Sequence, residues 1–160
     1  MDKQVIISVI GNGNNAPEFA TDLAYEVGKE LAKRGAGVAC GGLNGVMEAV
    51  CRGAKSEGGL TIGILPGNNA DEANDFVDIA IPTGMGHARN AIVVKSGKAV
   101  IAIAGAFGTL SEIGHALSDG NTVIGLHSWP LSDIKDGCMI TADNPQDAVE
   151  LALRAAKGAA

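Results

Sequence analysis

Val5-Ile6-Ile7-Ser8-Val9-Ile10 runs into Gly11-Asn12-Gly13-Asn14-Asn15-Ala16 and then Pro17. The order is an apolar run, a glycine turn and a helix opener, and it decides how this chain folds. The run is short and rich in β-branched residues, so it reads as a strand buried on both faces. Pro17 presets φ for a helix whose apolar positions Phe19, Leu23, Val27 and Leu31 share one face, and Gly35 stops it. Strand, tight turn, helix: the same unit then repeats.

Gly37–Cys40 is the second strand and Val46–Ser56 the second helix. Leu60–Leu65 is a third strand, ended by Pro66-Gly67 and followed by a polar loop over Asn68–Asp75. Val77–Ile81 is a fourth strand, Arg89–Ser96 a helix and Ala99–Ile103 a fifth strand. A helix over Thr109–Leu117 and a strand over Thr122–Leu126 follow, then an irregular stretch from His127 to Thr141. Asn144-Pro145 opens a last amphipathic helix carrying Val149, Leu151 and Leu153. Strands apolar on both faces and alternating with helices call for a parallel sheet covered on each side. The expectation is α/β: one doubly wound, Rossmann-like domain over residues 1–160, with no internal repeat or linker.

Composition narrows the function. The 160 residues are 46% apolar and 19% charged, enough to bury a core. A net charge of −6 without a basic block argues against duplex binding, and 3% aromatics argue against a base-stacking platform. No apolar run approaches the roughly 18 residues of a spanning helix. Cys40, Cys51 and Cys138 are odd in number and too far apart for a zinc ribbon, and His87, His115 and His127 are scattered. Cys40 and Cys51 read as small core residues. A cytoplasmic protein with no metal site, no nucleic-acid partner and no membrane partner is expected.

Glycine is the anomaly, with 23 residues. Gly11-Asn12-Gly13-Asn14-Asn15-Ala16 matches the dinucleotide pattern, but Cys40-Gly41-Gly42 stands where that pattern needs an acid for the ribose. The ordinary NAD reading is therefore rejected. Two further clusters, Gly41 to Glu48 and Gly105 to Glu112, also close strands and open helices. Backbone amides at such ends surround anions. A shared anion pocket would draw on Gly11, Gly13, Gly41, Gly42, Gly45, Val46 and Met47, on Arg89 and Asn90, and on Gly105, Gly108 and Thr109. Arg89 opens a helix, where a cation is poorly placed for the macrodipole, and this favours a bound anion.

Gly41-Gly42-Leu43-Asn44-Gly45-Val46-Met47-Glu48 and Gly105-Ala106-Phe107-Gly108-Thr109-Leu110-Ser111-Glu112 resemble the two hallmark segments of the LOG-like superfamily. The stretches Ile64–Gly67, Asp71–Asn74, Ile81–Met85 and Ala88–Asn90 look most like its short branch of molybdenum cofactor carriers. The resemblance implies a carrier for a phosphorylated, ring-bearing molecule, bound molybdenum cofactor or a nucleoside monophosphate being the possible ligand, with no cofactor required. It also implies an alternative, a nucleoside 5′-monophosphate phosphoribohydrolase. There Gly105, Gly108 and Thr109 would hold the phosphate, Glu112 would be the acid–base residue and Arg89 would stabilise charge. Ala104 and Ala106 replace a proline and a glycine of that enzyme motif, and Asn90 replaces a lysine. A nucleotide-sensing module is the third reading.

Bland readings stand beside these. Thr109-Leu110-Ser111-Glu112 also spells a capping box, with Thr109 as the cap. Glu48 and Arg52 are spaced for a helix-surface ion pair, Met47 for packing. Asn12, Asn14 and Asn15 suit a turn as well as a ligand contact. Apolar faces in Val46–Ala54 and Arg89–Val94 exceed what one sheet needs. They point to a homodimer or a dimer-of-dimers tetramer.

Overall fold

The computed structural model describes residues 2–131 and 139–158. β1 (Ile6–Gly11) runs through the middle of a seven-stranded sheet. On one side lie β2 (Gly37–Cys40), β3 (Thr61–Leu65) and β4 (Ile79–Pro82), and on the other β5 (Val100–Ile103), β6 (Val123–Leu126) and β7 (Ile140–Ala142). The order is β4-β3-β2-β1-β5-β6-β7 and every pairing is parallel. The helices are α1 (Glu18–Lys33), α2 (Val46–Ser56), α3 (Asn90–Ser96), α4 (Phe107–Ser118) and α5 (Pro145–Ala156). The doubly wound architecture is the one the alternation calls for.

Strand alternation divides the core in two. Ile7, Val9, Val38, Ile101 and Ile103 face α1, α2 and α5, while Ile10, Val100 and Ala102 face α3 and α4. Each buried isoleucine or valine among them contributes about 1.5–3 kcal/mol. α1 and α2 cross closely: a Cβ on Gly28 would collide with the Val50 carbonyl, and one on Gly53 with the Tyr25 carbonyl. The apolar face of Val46–Ala54 is therefore consumed inside the chain. It is not left over for a second copy, as the sequence reading supposed.

Other expectations are corrected at element ends. Phe19 is 52% exposed, because the inward stripe of α1 is Ala20, Ala24, Val27, Gly28 and Leu31. Phe19 falls one residue, about 100° of helix rotation, off that stripe. α4 begins at Phe107 with Ala106 as its N-cap, and no side chain among the described residues caps it. Thr109 thus lies within the first turn, and the capping box does not form. The turn Gly86–Arg89 is a 3-10 helix that hands over to α3 at Asn90, and Ala70–Glu72 adds another such turn to the polar loop. β7 was missed within the irregular stretch: three residues on a sheet edge, two of them exposed, show no buried-strand pattern. Residues 132–138 of that stretch, Cys138 included, lie outside the described residues. Arg52 packs over the Tyr25 ring, 5.4 Å from its centre, and forms no ion pair with Glu48 among the described residues.

Candidate functional site

Doubly wound sheets bind ligands beyond the carboxyl ends of their strands, where the winding reverses. Here that place is between β1 and β5, and a cavity of about 220 Å³ opens there. β1 delivers Gly11, Asn12 and Gly13 to it, the end of β2 delivers Gly41, and α2 delivers Met47. His87 and Arg89 enter from the turn before α3, Asn90 from its first residue, and Ala106, Gly108, Thr109 and Glu112 from the start of α4 and its N-cap. A larger groove of about 700 Å³ runs past Tyr25, Arg52 and Lys55. Its cations are already engaged, Arg52 by Tyr25 and Lys55 by Asp78 at 2.8 Å, so the smaller cavity carries the chemistry.

The wall from α4 is built for an anion. The first bond inside the helix is Leu110 N–H to the Ala106 carbonyl, at 3.1 Å. The amides of Phe107, Gly108 and Thr109 therefore have no acceptor within the helix and sit at its positive end. Among the described residues, no heavy atom outside the helix's own backbone lies within 4 Å of where a Gly108 Cβ would be, so the space beside this residue is open. Arg89 stands across the cavity and is only 8% exposed. Its Nε donates to the Ile64 carbonyl at 2.8 Å and its Nη1 donates to the Asn90 side chain. These bonds fix the guanidinium in place. Burial pulls its pKa down while the carboxylate of Glu112 opposes the shift, and an arginine remains charged regardless.

Glu112 is 9% exposed and joins no hydrogen bond or ion pair among the described residues. Burial raises its pKa to about 7, with Arg89 pulling the other way. A carboxyl poised there can give or take a proton near neutrality, or admit a phosphate by staying neutral.

The remaining sequence candidates shape the cavity without lining it. Val46 is fully buried and its N–H donates to the Asn12 carbonyl at 2.8 Å, so the leading amide of α2 is already spent. Gly45, at φ +68°, brings its backbone against the Gly13 carbonyl, where any Cβ would collide. Gly42 packs under Leu65, and the Gly105 N–H donates to Asn12 Oδ1 at 2.8 Å. Of the two glycine clusters, the one at α4 presents the free amides, and the one at α2 braces β1. His87 was not singled out in sequence; its place two residues before Arg89 was the available signal. Asn14 is exposed and accepts from Asn44 at 3.1 Å, and Asn15 occupies a left-handed turn at φ 61°.

Comparison with known proteins decides the family, whose model matches residues 4–156. The chain belongs to the SLOG cluster4 family. It is 49% identical over 124 residues to an uncharacterized protein of Archaeoglobus fulgidus, spanning 78% of this chain and 81% of that one. The solved molybdenum cofactor binding protein of Rippkaea orientalis is 40% identical, with a TM-score of 0.88 and 93% and 95% of the two chains covered. The Moco carrier protein of Chlamydomonas reinhardtii is 32% identical at a TM-score of 0.88, covering 98% and 99%. A cytokinin riboside 5′-monophosphate phosphoribohydrolase of Mycobacterium tuberculosis is 34% identical over 113 residues, 69% of this chain and 59% of the enzyme. No described helix of this SLOG protein is long and apolar enough to cross a membrane.

Proposed function

We propose that this chain binds and carries a phosphorylated, ring-bearing small molecule, with the pterin-type molybdenum cofactor as its cargo. The observation that carries the reading is the fixed Arg89 facing the open amides of α4 across a cavity at the sheet's reversal point. A phosphomonoester there meets helix amides, the Thr109 hydroxyl and a guanidinium at once. Likeness to two cofactor-binding proteins over nearly the whole of each chain supports the choice of cargo. The metal would stay on its own ligand's sulfurs. Cys40 and Cys51 lie buried with their sulfurs 3.5 Å apart, and a cytoplasmic location goes with this reading.

Glu112 favours one rival, hydrolysis of a nucleoside 5′-monophosphate, because a carboxyl with a pKa of about 7 beside Arg89, unpartnered among the described residues, suits acid–base work. Two measurements separate them. Protein purified from cells that make the cofactor is expected to co-elute with molybdenum and a pterin, and Gly108→Val and Thr109→Ala are each expected to lower that occupancy. Incubation with AMP is expected to release no adenine. Adenine release abolished in a Glu112→Gln variant that melts no lower than wild type would install the hydrolase instead.

A further inference from the structure

Next to the anion cavity, and meeting it at Asn12, lies a second hollow of about 360 Å³. Phe19, His127, Trp129 and Pro130 line it, along with Ala104 and Gly105 from the end of β5. In a chain with 3% aromatic residues this is a concentration. Phe19 meets His127 edge-on with ring centres 6.3 Å apart, and Trp129 stacks on Phe107 at 6.1 Å and 29°. Phe107 is 81% exposed and Phe19 52%, so these rings add little to the core.

One contact ties this hollow to the cavity, and the backbone beneath it is strained. Trp129 Nε1 donates to the Ala106 carbonyl at 3.4 Å, and Ala106 lines the anion cavity. Ala104 and His127 hold φ at 50° and 51°, a left-handed conformation that side-chain-bearing residues seldom adopt. They come immediately after adjacent strands, β5 and β6, and both line the hollow. Backbone strain of this kind collects where a surface has to be shaped for a ligand.

We propose that this aromatic hollow is the ring subsite: it takes the planar fused heterocycle of a ligand whose phosphomonoester sits at α4. A pterin and a purine share that chemistry. Apolar walls with a few polar groups are what such a ring requires, and Asn12, His127 and Ser128 supply polar groups among the lining. The inference rests on the phosphate reading above and adds where the ring goes.

Trp129 is the single tryptophan, so its emission reports the hollow directly. Ribose 5-phosphate, AMP and a pterin phosphate would be titrated, with heats measured in parallel. Ribose 5-phosphate is expected to give heat and leave the emission unchanged. At least one ring-bearing phosphate is expected to quench it and bind about tenfold tighter or more, as base stacking on aromatic side chains provides; which one does so tells pterin from purine. Phe19→Ala and His127→Gly are expected to cut that advantage severalfold without altering the affinity for ribose 5-phosphate. His127→Gly accepts the left-handed backbone, so it removes the ring without adding strain. Ring-bearing phosphates that bind well in both variants with silent Trp129 emission would overturn the subsite and leave the phosphate reading standing. Absence of heat with all three probes would overturn both.

Discussion

Glu112 is where the site costs stability. Its ordinary pKa of 4.5 rises to about 7 in the fold, chiefly through burial. Between those values the folded chain keeps a proton that the unfolded chain has released, so stability falls as pH rises across the window. The stabilising contribution is whole below about pH 4.5 and gone above pH 7. Glu112→Gln removes the penalty. It is expected to be more stable than wild type by up to about 3 kcal/mol at pH 8 and no more stable at pH 4, as read by urea unfolding. Binding of a phosphomonoester should follow the same carboxyl. Wild-type affinity is expected to weaken relative to Glu112→Gln as pH passes upward through about 7, with the variant's profile reporting the ligand's own second ionisation. Equal unfolding energies across pH would mean that the carboxyl is already ionised at no cost.

Helix packing is set by a different kind of residue. α1 and α2 meet where Gly28 lies against the Val50 carbonyl and Gly53 against the Tyr25 carbonyl, a reciprocal contact that no side chain fits. α2 begins immediately after Gly45, whose backbone braces Gly13 at the cavity's rim. Parting these two helices would therefore reach the site. Gly53→Ala is expected to lose about 1–3 kcal/mol of stability, as overpacked interfaces do. Gly114→Ala, on α4 with open space at its Cβ, is expected to be neutral or stabilising because alanine is the better helix former. Thermal melts of the pair check this, and a Gly53→Ala chain as stable as wild type would mean that the crossing can open without cost.

At the scale of the whole molecule, the β4 edge of the sheet exposes apolar side chains among the described residues. β4 is an edge strand with Ile79 and Ile81 exposed, and Met85 and Ile92 follow in the turn and in α3. An apolar edge of this kind invites pairing unless it is covered. A second copy related by a two-fold axis would cover it, and this patch now carries the argument that Val46–Ala54 cannot. Light scattering is expected to give twice or four times the chain mass at micromolar concentration, and Ile81→Asp to reduce it. A monomeric wild type would remove the proposal.

The amino-acid sequence by itself determined the layers and most of the strands, because β-branched runs, glycine turns and helical periodicity are local signals that tertiary contacts only reinforce. Val5–Ile10 with Pro17 was enough to start a doubly wound sheet. Gly41, Arg89, Thr109 and Glu112 could be named from it as well, since each belongs to a turn or a helix start with its own pattern. Sequence could not say that α4 starts at Phe107 rather than at Thr109, because that depends on the Ala104 and Gly105 backbone leaving β5 in positive-φ conformations. Nor could it separate the glycines that line the cavity from those that brace it: Gly45 and Gly105 differ from Gly11 and Gly108 in their positive φ and in what lies across from them, and the fold sets both. The fate of a carboxyl was equally hidden. Glu112 becomes a near-neutral proton holder because distant segments bury it and bring Arg89 opposite, and desolvation is a property of the assembled fold.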